Sequence, residues 1–354
     1  MSQSFSQRLL RWYDRHGRKH LPWQNPISPY RVWVSEIMLQ QTQVDTVIPY
    51  FERFMQQLPD VQSLAAAPID QVLHLWTGLG YYARARNLHR CARMVVSEYG
   101  GEFPADVDLL SALPGIGRST AAAIASIAFE IPAAILDGNV KRVLARHSAI
   151  PGWPGQPKVA EELWRIAETH MPRKRCRDYT QAIMDLGATL CTRSRPQCGS
   201  CPVGADCAAL IQGNPTLYPG KKPAKDKPIK SAYLLLVQSP NGDILLEQRP
   251  PQGIWGGLWC LPEMPAEQPL DSSIGARYGA YSELEYWSGW RHTFTHYHFD
   301  IQPVLVRLKT APKPAVEAGR HIWYNPRQPA EVGLAAPVKT LLQKLLQPQQ
   351  APLL

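Results

Sequence analysis

No stretch of this 354-residue chain stays apolar for anything near the ~20 residues that a membrane-crossing helix requires. The N-terminus lacks the apolar segment of a secretory signal. An unprocessed cytoplasmic protein is therefore expected, with no membrane partner. Cysteine is sparse, seven residues and an odd number, in a chain too large to need covalent staples. That argues against a disulfide framework. Acidic residues are outnumbered, 29 against 38 Lys plus Arg, and no internal repeat is present. With 45% hydrophobic residues the composition is that of a globular protein, long enough for two cores.

What cysteine there is lies close together. Cys191, Cys198, Cys201 and Cys207 are spaced C-x6-C-x2-C-x5-C, leaving Cys91, Cys176 and Cys260 apart. Four thiolates so near in sequence can wrap one metal centre, and soft sulfur ligands select zinc, copper(I) or an iron–sulfur cluster. Spacing alone does not choose among them. Pro196 and Pro202 favour a stiff loop there over a helix.

The excess positive charge is uneven. Residues 1–211 carry a net charge of +5, residues 212–230 carry +4, and residues 231–354 are neutral. A basic face on the first part and its connector suits a polyanion, although charge alone equally fits a solvated surface.

The pattern along the chain divides it the same way. Residues 1–211 read as helical. Ser28-Pro29 opens a helix on which Trp33, Ile37, Gln40 and Val44 share a stripe, and Ala121–Phe129 reads as a tightly packed small-residue helix. Residues 212–230 are rich in Pro, Gly and Lys and read as a linker. From 231 to 349 the period is strand-like: Ala232–Val237 and Ile244–Gln248 flank the Pro240-Asn241-Gly242 turn, Tyr297, Phe299 and Ile301 alternate, and Val338–Leu346 closes the domain as an amphipathic helix.

Two segments carry chemistry. In Leu113-Pro114-Gly115-Ile116-Gly117-Arg118-Ser119-Thr120, paired glycines make a tight turn whose amides, with the N-terminus of the next helix, can meet a phosphate. This reads as a helix-hairpin-helix element, over about 108–129. Twenty residues beyond Gly117, Asp137 precedes Gly138 and Asn139 at a helix start, which suits an N-cap with space around the carboxylate.

The hairpin, the downstream aspartate and the four-cysteine loop, in this order, resemble the helix-hairpin-helix DNA glycosylases of the endonuclease III type and, more closely, the adenine-specific MutY type. Leu21-Pro22-Trp23, Trp33–Gln43, Gly78–Arg86 and Met184–Ala188 strengthen the likeness, which extends over essentially the whole chain. It implies a multi-domain fold: an all-α helix-hairpin-helix glycosylase domain with an iron–sulfur loop at 191–207, followed by an α+β Nudix-like domain. It further implies one [4Fe–4S] cluster on Cys191, Cys198, Cys201 and Cys207, and a monomer acting on double-stranded DNA that holds adenine opposite 8-oxoguanine or guanine. Replication or repair proteins are further partners that the resemblance suggests, with a nucleoid-associated location if the source is bacterial.

Residue roles follow by the same resemblance. Breaking an N-glycosidic bond leaves positive charge on the sugar and needs a protonated leaving base, work that two carboxylates can divide. Glu36 sits on an apolar helix among Trp33, Ile37 and Leu39, where desolvation favours its neutral, proton-donating form. It would protonate adenine at N7 and later handle the water. Asp137 would stay charged beside the cation, and Asn139 would orient the pair, with Ser119, Trp23 and Gln181 in support. Gln41, Thr42, Tyr81, Leu113, Gly115, Gly117 and Arg118 are placed at DNA. Ser119 stands where bifunctional relatives carry a lysine, and a hydroxyl cannot form an imine, so the backbone should remain uncut. The alternative is a bifunctional pyrimidine glycosylase and lyase of the endonuclease III type. In the second half, Gly256–Pro262 approaches a Nudix box, but the R-E-x-x-E-E magnesium ligands are absent. Phe294-Thr295-His296 aligns with the family's 8-oxoguanine loop, usually Phe-Ser-His, with threonine retaining the hydroxyl.

Overall fold

The computed structural model describes residues 3–223, 226–310 and 320–347; part of the linker (224–225) and the end of the second domain (348–349) lie outside them. The chain forms two compact units, one of Met1–Ala66 with Asn87–Ala224, the other of Ala67–Arg86 with Lys225–Leu354.

The first unit is helical. Ser28 caps helix Pro29–Leu39 by accepting the Arg31 amide, and Pro29 occupies the first turn, where its missing N–H costs nothing. The stripe read through Val44 breaks: the helix ends at Leu39, Gln41 turns at φ 61°, and a second helix, Val44–Gln57, begins. That break turns Gln41 and Thr42 away from the core. Helix Arg118–Ala128 is lined with alanine, and Ala121 to Ala125 are all buried, which lets neighbouring backbones approach closely. Leu113–Gly117 joins it to Val107–Ala112. Gly115 has φ 78°, and a Cβ there would lie 2.7 Å from Asn87 Cβ. Here glycine is required by both conformation and space.

In the second unit β1 (Ile229–Gln238), β2 (Ile244–Gln248), β3 (Trp259–Cys260), β4 (Glu263–Pro265), β5 (Tyr281–Tyr286), β6 (Trp290–Thr293), β7 (His298–Leu308) and β8 (His321–Tyr324) form one mixed sheet. β1 and β7 run parallel, from Ile229 opposite His298 to Gln238 opposite Arg307. The β1–β2 turn falls where Pro240-Asn241-Gly242 marks it, with Gly242 at φ 90°. Helix Leu270–Tyr278 packs Leu270, Ile274 and Tyr278 against Leu235, Val237, Val304 and Val306. The 67–86 segment belongs here: Tyr82 Oη donates to the Leu334 carbonyl at 3.3 Å, and Leu73 lies against Gly333 and Gly257. Truncating the chain after Lys230 would strip this packing, so point substitutions test the second unit more cleanly.

Candidate active site

A cleft of about 850 Å³ opens in the helical unit, and Trp23, Glu36, Gln41, Thr42, Ser119, Asp137, Asn139 and Gln181 all line it. Helix Pro29–Leu39 supplies Glu36 from a largely apolar run in which Arg31 is the other charged residue. No hydrogen bond within the described residues reaches its carboxyl. Burial, with a lesser contribution from the charge of Asp137, pushes its pKa up to about 8. Asp137 caps helix Gly138–His147: Oδ1 accepts the Val140 amide at 2.8 Å and Oδ2 accepts Asn139 Nδ2 at 3.2 Å. Its pKa is raised as well, because burial outweighs the opposing donors from Val140 and Asn139 and the nearby Arg142 charge. The sequence argument for a charge-favouring site at Asp137 thus identifies the donors but underweights the burial. Of the two carboxyls only Asp137 has donors, so Glu36 is the one that keeps a proton near neutral pH.

Ser119 looks inward. Its Oγ accepts the Leu136 amide at 3.0 Å, pinning the backbone just ahead of Asp137. Behind Asn139, Arg142 donates to Asn139 Oδ1 at 2.9 Å, to the Gly187 carbonyl at 2.7 Å and to the Cys191 carbonyl at 2.7 Å. A Cβ on Gly187 would meet Asn139 Cβ at 2.6 Å. The carboxylate, the amide and the start of the cysteine loop are therefore one connected arrangement.

Cys191, Cys198, Cys201 and Cys207 line one small cavity, none of them in a disulfide. Among the described residues, no three His, Cys, Asp or Glu groups come close enough to hold a single metal ion. Burial pushes the Cys201 thiol up to about 11, with a smaller contribution from the other three sulfurs. Arg146, only 2% exposed, donates to Cys191 Sγ at 3.3 Å and to the carbonyls of Tyr218, Thr192 and Arg193 at 3.0, 2.7 and 2.8 Å.

Residues 34–169 match the HhH-GPD superfamily of base excision DNA repair proteins, and residues 232–344 match the NUDIX domain. The adenine DNA glycosylase of Buchnera aphidicola (subsp. Acyrthosiphon pisum) is 38% identical over 339 residues, spanning 96% of this chain and 97% of that protein. The chain belongs to the adenine DNA glycosylases. The human member is 37% identical over 81% of this chain and 61% of its own length. A thermostable thymine-DNA glycosylase superposes with a TM-score of 0.53 at 27% identity, covering 59% of this chain and 95% of that one. Endonuclease III bound to DNA, at 23% identity and a TM-score of 0.50, shares the fold over 59% of this chain and 94% of that one. The fold is thus a helix-hairpin-helix glycosylase domain followed by a sheet-containing Nudix-like domain, and the activity is removal of adenine in base excision repair.

The other residues singled out in this adenine DNA glycosylase lie outside the cleft. Leu113 is buried under the hairpin, and Gly117 starts helix Arg118–Ala128 with no side chain capping it. Arg118 pairs with Glu168 and stacks on Trp164 at 3.9 Å, so a phosphate must compete for it. Tyr81, in the second unit, is 48% exposed at φ 49°. Phe294 packs between Trp255 and Tyr297 at 5.4 and 4.9 Å and anchors a turn that leaves Thr295 and His296 exposed. Lys227 Nζ donates to the Phe294 carbonyl at 2.9 Å, tying the basic connector to that turn. Sequence reasoning missed Arg18, Arg142, Arg146 and Asp185. Available signals were the i, i+4 spacing of Gln181 and Asp185 and the i, i+3 spacing of Asn139 and Arg142, which put each pair on one helix face.

Proposed function

We propose that this cleft receives an adenine extruded from duplex DNA opposite 8-oxoguanine or guanine and hydrolyses its N-glycosidic bond without cutting the strand. The observation that carries this is a proton-holding Glu36 and a hydrogen-bonded Asp137, facing one cleft and coupled through their charges. Glu36 passes its proton to the leaving base. The carboxylate of Asp137, held by Val140 and Asn139, lies against the positive charge that grows on the sugar. Once the base has left, the ionised Glu36 can take a proton from the attacking water. Extruding a mispaired adenine costs less than breaking a sound pair. That alone does not separate 8-oxoguanine from other partners, and the exposed Thr295 and His296 supply polar groups for that distinction. Release from duplexes bearing adenine opposite 8-oxoguanine, guanine, cytosine or thymine tests the reading, with 8-oxoguanine expected fastest. His296→Ala should narrow the gap between 8-oxoguanine and guanine while leaving adenine release in place; an unchanged gap removes the turn from lesion reading.

No lysine is among the residues lining the cleft, and Ser119 is committed to Leu136. Borohydride is therefore expected to trap no stable enzyme–DNA adduct, and efficient trapping would revive the lyase reading. Four thiols lining one shared cavity support an iron–sulfur cluster there. Cys191, Cys198, Cys201 and Cys207 would hold it, and its chemistry there is to cross-link the loop. Colourless protein containing zinc and no iron would exclude it.

The hairpin supplies a separate test of DNA contact. A Cβ on Gly117 would meet nothing within 4 Å, and its φ of −88° suits any residue. Nothing among the described residues demands glycine there, whereas a closely approaching phosphate would. Gly117→Ala should melt like the parent yet bind duplex about tenfold more weakly. Gly115→Ala, forced into the left-handed region, should cost ~1–2 kcal/mol of stability. Thermal melts and anisotropy titrations separate the two, and undiminished binding by Gly117→Ala rules out the phosphate contact.

A further inference from the structure

The proposed chemistry makes no use of Asp185, a carboxylate buried to 0% exposure at the end of helix Cys176–Asp185. Each of its side-chain contacts is with a donor. Oδ2 accepts the Arg18 amide at 2.8 Å, and Oδ1 accepts Arg18 Nε at 2.8 Å and Gln181 Nε2 at 2.9 Å, with Arg18 Nη2 at 2.7 Å completing the ion pair. An ionised carboxylate offers no hydrogen. Turning the Gln181 amide the other way would set carbonyl oxygen against carboxylate oxygen in a dry interior, an unpaired arrangement that low dielectric makes costly. The polarity of that amide is therefore fixed by chemistry. Gln181 and Arg18 line the cleft and Asp185 does not. Within the described residues no donor reaches Gln181 Oε1, so the acceptor face of the amide is left for whatever the cleft holds.

We propose that Asp185, without touching the base, determines which purine the cleft accepts, by engaging the amide nitrogen of Gln181 and leaving its carbonyl oxygen free for an amino group at purine C6. This rests on the adenine-binding reading of the cleft. Adenine presents an N–H donor at C6, while hypoxanthine and guanine present a carbonyl there and would meet acceptor with acceptor. A site built to pair a donor discriminates strongly against an analogue that lacks it, because the buried partner is left unsatisfied. Asp185 is a positioning residue, and its effect is read as a ratio between bases rather than as a rate.

The test uses the full-length, cluster-bearing protein and duplexes carrying adenine or hypoxanthine opposite 8-oxoguanine, with single-turnover release measured for each. In Asp185→Asn one amide oxygen replaces two, and whenever it turns to the Arg18 amide that Oδ2 now serves, its N–H faces Gln181, which then turns its own carbonyl inward and its NH2 to the cleft. The preference for adenine over hypoxanthine should fall at least tenfold. Adding Gln181→Glu to that variant restores an acceptor on both sides and should return the preference toward the parent. A parallel slowing of both bases, with the ratio held within threefold, would mean a merely structural role and overturn the proposal. Should Asp185→Asn not fold, Gln181→Glu alone reads the same contact. Two facing carboxyls must share a proton, which adds an ionisation to the pH profile of adenine release. An unaltered profile overturns the proposal equally. If the parent protein releases no adenine at all, it is the underlying reading of the cleft that fails.

Discussion

Replacing Glu36 by glutamine should slow single-turnover adenine release by ~10³-fold or more, since it removes a positioned acid worth 10²–10⁴ and almost no volume. Duplex affinity should stay near the parent's. The pH dependence carries the assignment. With its pKa pushed up to about 8, Glu36 is neutral and able to donate below that pH, so release should hold through neutrality and fall as pH rises past about 8. Asp137 must be ionised, and its pKa is also raised, so activity should fall on the acid side as that carboxyl is protonated. Stability runs with the opposite consequence. In the unfolded chain a glutamate titrates near ~4.3, so between that pH and about 8 the folded state holds a proton the unfolded state has released, and folding weakens as pH rises. Glutamine carries no such penalty. Glu36→Gln should therefore melt together with the parent near pH 4 and above it at pH 8. The difference should be about 2 kcal/mol, allowing for the water that the open cleft admits, or several degrees. An inactive variant that gains no stability at pH 8 would show that Glu36 is not desolvated. Activity within tenfold of the parent would remove it from the chemistry.

The two carboxylates were legible in the sequence for different reasons. Asp137 stands before Gly138 at a helix start, and capping is a local rule that needs no knowledge of the fold. Glu36 is the one acidic residue on a largely apolar helix, which carries Arg31 as its other charge, so its desolvation could be argued before its neighbours were known. The cysteine loop announced itself by spacing. What could not be read were contacts across long separations: Arg18 to Asp185, Arg142 to Gly187 and Cys191, Arg146 to Tyr218. Each is an arginine, and arginines are plentiful enough on a basic protein that composition makes any one of them look like surface. Only burial distinguishes those that organise the interior. The break after Leu39 was missed because the apolar stripe continues in register through Val44. Gln41 in the left-handed region is a tertiary choice that no local preference dictates.

Removing Arg146 should be the most damaging single change outside the cleft. Arg146 is 2% exposed, and its guanidinium spans four carbonyls, Tyr218, Cys191, Thr192 and Arg193, together with Cys191 Sγ. Hydrogen bonds to a charged donor are worth ~1.5–3 kcal/mol each; they are not additive, and ~4 kcal/mol for the group is a fair expectation. The loss falls on the segment that carries Cys191, the first of the four proposed ligands, and, through the Cys191 carbonyl, on Arg142 behind Asn139. Arg146→Ala should therefore purify with little iron, melt well below the parent and bind duplex weakly, with adenine release lost along with these. Arg146→Lys separates charge from geometry. A lysine keeps the positive charge beside the thiolates, but one ammonium cannot serve acceptors spread from Tyr218 to Arg193. If charge is what the loop needs, the lysine variant should hold its iron. If the fork of donors is what matters, it should fail nearly as badly as alanine, and the geometry here favours that outcome. Iron content, melting temperature and duplex affinity measured on both variants decide between the two. Parent-like values in Arg146→Ala would mean that the loop does not depend on this guanidinium.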